Sequence, residues 1–277
     1  MKIGIQGVKA SFHDVASRKY FQNVKVFSVE CSSFPLLFKV LNDKTVDFAV
    51  MAIENALAGS ILPNYALLEK YKFKIVGEVY LKIEMCLLAL PGQKIDEIRY
   101  VQSHPMALLQ CQEFLNALDN VKLVEHADTA ESAMEIKQKK LNHYAAIASA
   151  LAAETYGLEI LRSNIETHSS NFTRFLILCR EEDYKSAPEA NKSSLRFEAE
   201  HKPGSLAGIL NIFERHSINM SKIHSLPIIG KPYQYAFHVD LEWSDASKYQ
   251  AAMSELKSKA LYLTHFGDYV SGERPIL

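Results

Sequence analysis

The 277-residue chain is 48% hydrophobic and 23% charged, with a formal net charge of -1, a balance that suits a globular protein of two domains. It has no basic run long enough for a nucleic-acid stripe or a polybasic membrane patch, so the expected partners are small molecules, with no nucleic acid and no membrane. No apolar run nears the roughly 20 residues that span a bilayer. No cleavable leader is seen before the first strand pattern, and Cys31, Cys86, Cys111 and Cys179 lack zinc-ligand spacing, which predicts a cytoplasmic protein with reduced thiols and no metal site.

Residues 2–6 predict a strand that Gly7 ends, after which Phe12, Val15, Ala16 and Tyr20 recur at helical spacing. A strand at 24–28 precedes a helix with the buried stripe Phe34, Leu37, Phe38 and Leu41, started by Ser32 or Ser33. A third strand, 46–51, runs into a polar loop over 54–60, and Pro63 opens the next helix. Strands alternating with amphipathic helices predict a parallel α/β sheet. Val79, Leu81, Ile83 and Met85 then alternate within a long extended segment, 78–90, whose length fits a connection between two lobes. Strands at 98–102, 121–124 and 145–148 alternate with helices started by Ser103, by Asp128 with Glu131 at capping-box spacing, and by Ser149; Gly157 supplies a left-handed cap. An extended piece at 158–161 returns the chain to the first lobe, where the strand beginning Asn171-Phe172-Thr173-Arg174-Phe175 completes the sheet. A charged linker, 181–193, leads to a second domain of order β-α-β-β-α-β, the ferredoxin-like arrangement.

Arg174 is an always-charged group at the start of a buried strand, and it needs a structural carboxylate or an anionic ligand as partner. In open α/β sheets ligands bind beyond the carboxyl ends of the strands, where helix N-termini present N–H groups. Here those rims are 7–11, 54–60, 103–105, 128–129 and 149, each with a hydroxyl. Two lobes carrying such rims predict a cleft for a small carboxylate-bearing anion, although each Ser, Thr or Asp taken singly is an ordinary cap. His104 reads as a loop hydrogen-bonder, because no Gly-x-Ser-x-Gly elbow accompanies Ser103. Glu54, with no paired carboxylate, reads as a loop brace.

In order along the chain, these segments resemble the prephenate dehydratase family. Gly7-Val8-Lys9-Ala10-Ser11-Phe12 is similar to its Gly-x-x-Gly-Thr-Phe-Ser loop, and Ile53-Glu54-Asn55, with Gly59-Ser60 after it, to its Pro-Ile-Glu-Asn-Ser segment. Ser103-His104-Pro105 through Cys111 resembles its Ser-His-Pro-Gln-Ala helix start, and Ala146-Ile147-Ala148-Ser149 with Tyr156-Gly157-Leu158 the next motif. Asn171-Phe172-Thr173-Arg174-Phe175 matches its Asn-x-Thr-Arg-Phe signature. The resemblance covers nearly the whole chain. It implies an α/β fold: a two-lobed catalytic domain like the type II periplasmic binding proteins over 1–180, with lobe one about 1–78 and 162–180 and lobe two about 79–161. The domain at 194–277 is implied to be a ferredoxin-like βαββαβ ACT regulatory domain. With no chorismate mutase segment ahead of Met1, the chain is expected to be monofunctional.

The activity implied is decarboxylative dehydration of prephenate to phenylpyruvate in phenylalanine biosynthesis, a lyase reaction that needs no cofactor. The alternatives are arogenate dehydratase, the same chemistry on the amine analogue, and a non-catalytic amino-acid sensor. In this reading Thr173 hydrogen-bonds or protonates the leaving hydroxyl and Arg174 clamps a substrate carboxylate, while Ser11, Asn55, Ser103 and Ser149 bind substrate and Phe175 packs. Gly204, Ser205, Leu206, Asn219, Ser225, Leu226 and Pro227 fall in segments implied to bind phenylalanine as an allosteric inhibitor, with His224 and Leu226 standing where that motif has Glu and Arg. Around the cleft, Ala10, Ala52, Ala56 and Met106 replace Gly, Pro, Ser and Gln. The edges of a four-stranded ACT sheet call for pairing between subunits, so a homodimer or homotetramer is expected.

Overall fold

The computed structural model describes residues 1–228 and 230–275. They form two compact units, one of Met1–Tyr71, Val79–Ile177 and the residues from Glu273, the other of Lys72–Glu78 with Leu178–Gly272. The chain opens with β1 (Lys2–Gln6), α1 (Phe12–Tyr20), β2 (Phe27–Cys31), α2 (Phe34–Asn42), β3 (Phe48–Asn55), β4 (Gly59–Ser60), α3 (Leu62–Tyr71) and β5 (Lys74–Lys82). It continues with β6 (Cys86–Ala89), β7 (Tyr100–Ser103), α4 (Pro105–Gln110), α5 (Gln112–Asn116), β8 (Lys122–Glu125), α6 (Thr129–Lys139), β9 (Tyr144–Ala148), α7 (Ala150–Tyr156), β10 (Glu159–Arg162) and β11 (Phe172–Cys179).

Lobe one is built on a sheet of order β2-β1-β3-β11-β5, with β4 folded back on β3. β1 is parallel to both neighbours, as right-handed strand-helix-strand units require. Ile3, Ile5, Val50, Met51, Leu37, Phe38 and Leu41 are fully buried, because both faces of the strands are covered, the face that carries Gly4 meeting the i, i+1, i+4 stripe of α2 at Leu37. Ser33, not Ser32, caps that helix, accepting from Leu36 N–H at 3.4 Å. Lobe two has the order β10-β6-β9-β7-β8, with the small residues Ala146 and Ala148 letting α6 and α7 approach the sheet.

The segment expected as one long strand breaks at residues 83–85, between β5 and β6. There Ile83 N–H donates to the Asn171 carbonyl at 2.8 Å, Met85 N–H to the Glu166 carboxylate at 2.9 Å, and Ile165 N–H to the Met85 carbonyl at 3.0 Å. The outgoing and returning chains are thus bonded to each other where they cross between the lobes. The expected single helix after Ser103 is two short ones, broken at Cys111.

In the second unit β12 (Lys192–Glu198), α8 (Ser205–Arg215), β13 (Asn219–Pro227), β14 (Tyr235–Glu242), α9 (Ala246–Lys259) and β15 (Tyr262–Tyr269) give an antiparallel sheet of order β13-β14-β12-β15. The expected linker ends inside β12, which starts at Lys192. That lysine is 1% exposed and lies 2.9 Å from Glu78 and 3.1 Å from Glu242, so its charge is compensated inside this unit. Leu195, Phe197, Val239 and Leu241 face α8 and α9 to form its core.

Candidate active site

Beside the inter-lobe crossing lies a cleft of about 320 Å³. Lobe one lines it with Gln6, Phe12, His13, Ala52, Asn55, Ala58 and Ile61, and lobe two with His104, Met106, Ala107, Gln110, Ala127, Asp128 and Thr129; Ile83, Met85, Thr173 and Phe175 come from the crossing and β11. Most of this wall is apolar, so its few polar groups set the orientation of any ligand.

Thr173 is the best-positioned of them. The β3–β4 turn makes Asn55 a junction: its Oδ1 accepts from Leu57 N–H at 3.0 Å and Ala58 N–H at 2.8 Å. Its Nδ2 donates to Asn171 Oδ1 at 2.8 Å, the Phe172 carbonyl at 3.3 Å and Thr173 Oγ1 at 2.9 Å. Asn171 is fully buried and passes the chain of bonds to lobe two, donating to Gln110 Oε1 at 2.9 Å. Because Thr173 Oγ1 accepts from Asn55, its own proton is left for another acceptor.

Successive strand residues point to opposite sides. Thr173 and Phe175 therefore line the cleft and Arg174 does not; its guanidinium lies 6.0 Å from the Tyr80 ring centroid, and the residue is 5% exposed. The structure thus does not bring Arg174 into the cleft lining where a carboxylate clamp was expected. Nor do the three serines expected to bind substrate line the cleft. Ser11 Oγ caps α1 through Asp14 N–H at 3.4 Å, and Ser103 Oγ donates to the Ile147 carbonyl at 2.6 Å. Ser149 Oγ donates to the Ala10 carbonyl at 2.8 Å and caps α7. With Tyr156 OH donating to the Lys9 carbonyl at 2.7 Å, it ties the lobe-one rim to lobe two. The cap of α4 is His104, whose Nδ1 accepts from Met106 N–H at 3.2 Å, and not Ser103.

Of two further cleft groups, the sequence reading placed Asp128 on the rim and missed His13. Asp128 caps α6, accepting from the N–H groups of Ala130 and Glu131 at 2.8 and 3.0 Å, yet burial pushes its carboxyl above the usual carboxylate range. Gly7, at φ +90°, passes so close that a Cβ there would stand 2.6 Å from Asp128 Oδ2. His13, 8% exposed, accepts from Ala52 N–H at Nε2 (3.3 Å) and meets the rings of Phe34 and Phe175 edge-on at 5.6 and 5.0 Å. Burial lowers its pKa to about 3, so the imidazole is neutral. Its signal in the sequence is a polar residue at the buried spacing of α1, three before the core residue Ala16.

In the second unit a cavity of about 400 Å³ borders the Gly204 turn, lined by Ala199, Glu200, His201, Lys202, Pro203, Leu206, Gln234, Tyr235 and Phe237. Of the expected regulatory residues Leu206 lines it. Gly204, at φ +83°, and Ser205 start α8 beside it, whereas Ser225, Leu226 and Pro227 lie on β13 opposite Phe237, Ala236 and Tyr235. Asn219 is at the other end of that strand, paired with Glu242.

A two-lobed α/β cleft with a threonine hydroxyl held at its crossing, in a chain that also carries a ferredoxin-like domain, fits an enzyme for a small organic molecule. The prephenate dehydratase family model matches residues 3–183. Arogenate dehydratase/prephenate dehydratase 2, chloroplastic, of Arabidopsis thaliana is 38% identical over 281 residues, spanning 97% of this chain and 72% of that protein. The chain belongs to the prephenate dehydratase family, and it is an enzyme of the lyase type. Among solved structures, GqqA, described as a novel type of quorum quenching acylase, superimposes with TM-score 0.87 at 29% identity over 98% of both chains. The prephenate dehydratase of Arthrobacter aurescens in complex with L-Phe shares the fold, with TM-score 0.86 at 24% identity over 98% of this chain and 90% of that one.

Proposed function

We propose that the chain converts prephenate to phenylpyruvate. The bond from the ring to its carboxylate breaks and leaves its electron pair in the ring, the carbon–oxygen bond to the 4-hydroxyl breaks, and one proton joins the departing oxygen, giving CO2 and water. Aromatisation drives the step, so the protein has to orient the dianion, assist the leaving oxygen and exclude water. The observation that carries this reading is the Asn55 to Thr173 bond at 2.9 Å, which holds Oγ1 as an acceptor and leaves the O–H to donate to the leaving hydroxyl. Phe12, Ile61, Ile83, Met85 and Phe175 make the surroundings less favourable to the ring carboxylate than to neutral CO2. Steady-state phenylpyruvate formation by the purified chain and its Thr173→Val variant tests the reading.

Arogenate is the second substrate to assay, because the Arabidopsis relative carries both dehydratase names; the ratio of the two kcat/KM values decides the preference. Acylase chemistry, named for GqqA, needs a nucleophile beside a base. The described cleft supports it less, since Thr173 is bonded to an amide and the serines lie elsewhere. For the second unit we propose phenylalanine as an allosteric inhibitor bound near the Gly204 turn, in keeping with the cavity there and with the L-Phe complex of the Arthrobacter relative. Pairing of two chains along the edge strand β13 and a cytoplasmic location belong to the same proposal.

A further inference from the structure

We propose that His13 is a substrate-binding donor of the cleft, giving a hydrogen bond from its Nδ1–H to an oxygen of the bound substrate. This rests on the dehydratase reading above. A neutral imidazole that accepts at Nε2 carries its proton on Nδ1, and the Ala52 N–H at 3.3 Å imposes that tautomer. The ring cannot swing away, because Phe34 and Phe175 hold it edge-on at 5.6 and 5.0 Å. The residue is only 8% exposed and lines the cleft, yet its Nδ1–H meets no acceptor among the described residues. A donor without a protein acceptor, on a side chain nine-tenths buried at a cleft wall, is placed to meet a ligand atom. Asn55 does not serve in its place, since its amide is already engaged by Asn171, Phe172, Thr173, Leu57 and Ala58. His13 and Thr173 are both neighbours of Phe175, one through ring contact and the other through strand alternation, so one ligand in the cleft can meet both donors. Burial keeps the imidazole uncharged down to about pH 3. An uncharged donor orients an anion without a full charge pairing, which would favour the ground state if it fell on the carboxylate that departs.

The test uses two isosteres. His13→Asn places an amide N–H near the position of Nδ1, and His13→Gln places one near Nε2. A donor to substrate predicts that His13→Asn keeps kcat/KM for the better of prephenate and arogenate within about fivefold of wild type, and that His13→Gln loses about 10- to 100-fold, as for a hydrogen bond to a charged group. A brace for Ala52 predicts the reverse order, and that order, or equal loss in both variants, overturns the proposal. If neither variant folds, 15N spectra of the wild-type imidazole with phenylpyruvate decide it. A downfield shift of the His13 Nδ1–H supports the donor, and an unmoved resonance at saturation overturns it. Wild-type protein that turns over neither substrate refutes the dehydratase reading itself, an outcome separate from any difference between the variants.

Discussion

Replacing Asn55 by Ala removes five hydrogen bonds at once, two to the N–H groups of Leu57 and Ala58 and three to acceptors on Asn171, Phe172 and Thr173. The turn N–H groups belong to exposed residues and regain water. Asn171 is fully buried and cannot, so its side-chain oxygen loses a partner inside the protein. At roughly 1 kcal/mol for each bond to a shielded acceptor, the variant should be about 2–3 kcal/mol less stable and still folded. Thr173 keeps its place in β11 but loses the group that fixes its hydroxyl as an acceptor, so kcat should fall about 10- to 100-fold with a smaller change in KM. Steady-state phenylpyruvate kinetics and urea unfolding measure both effects. If Asn55 acts through Thr173, adding Asn55→Ala to Thr173→Val should lower kcat little further. Full additivity of the two losses, or a folded Asn55→Ala variant with wild-type kcat, refutes the reasoning.

Other predictions follow from the same geometry. Arg174→Lys should leave KM within about threefold of wild type, because Arg174 does not line the cleft, whereas loss of a bidentate carboxylate clamp would raise KM about 10-fold or more. Ala10 holds a left-handed backbone, φ 65°, which costs about 1–2 kcal/mol, but its methyl is fully buried and worth about 0.8 kcal/mol, so Ala10→Gly should leave stability within about 1 kcal/mol of wild type in urea unfolding; a loss above about 2 kcal/mol contradicts this. His13 has its folded pKa near 3 and its unfolded value near 6.5, so the unfolded chain binds more protons between them. The stability that His13 contributes as a neutral group is complete above about pH 6.5 and is lost as pH falls toward 3. Between about pH 6.5 and 4 a His13→Phe variant should lose about 3 kcal/mol less than wild type, and an equal loss in both contradicts the burial of a neutral imidazole.

Much of the fold is legible because periodicity follows burial. The stripe Phe34, Leu37, Phe38 and Leu41 specifies α2, and the alternation from Leu195 to Phe197 specifies β12. Boundaries move where a strand continues past its apolar run through polar residues, as β3 does through Glu54 and Asn55. The break at 83–85 was not legible, because Ile83 and Met85 keep the alternation while their N–H groups turn to Asn171 and Glu166 on the returning chain. Thr173 and Asn55 could be placed from their motifs, and the geometry brings them to 2.9 Å. Arg174 was grouped with Thr173 by adjacency, whereas strand alternation brings Thr173 and Phe175, and not Arg174, to the cleft lining. The serines were read by their chemistry, but main-chain carbonyls hold the hydroxyls of Ser103 and Ser149 and helix capping holds that of Ser11. His13 falls at the last position of the Gly-x-x-Gly-Thr-Phe-Ser loop, where it replaces Ser, a departure the sequence reading passed over, and its bond to Ala52 is long-range and visible only in the folded chain.

The most direct test of the account is the rate of phenylpyruvate formation from prephenate by purified wild-type protein and by Thr173→Val, whose side chain keeps the shape of threonine without its hydroxyl. The account predicts turnover by the wild type and a fall in kcat of about 10²-fold or more in the variant, which stays folded with a stability loss of about 1 kcal/mol for the bond from Asn55. Undiminished kcat in Thr173→Val would contradict it.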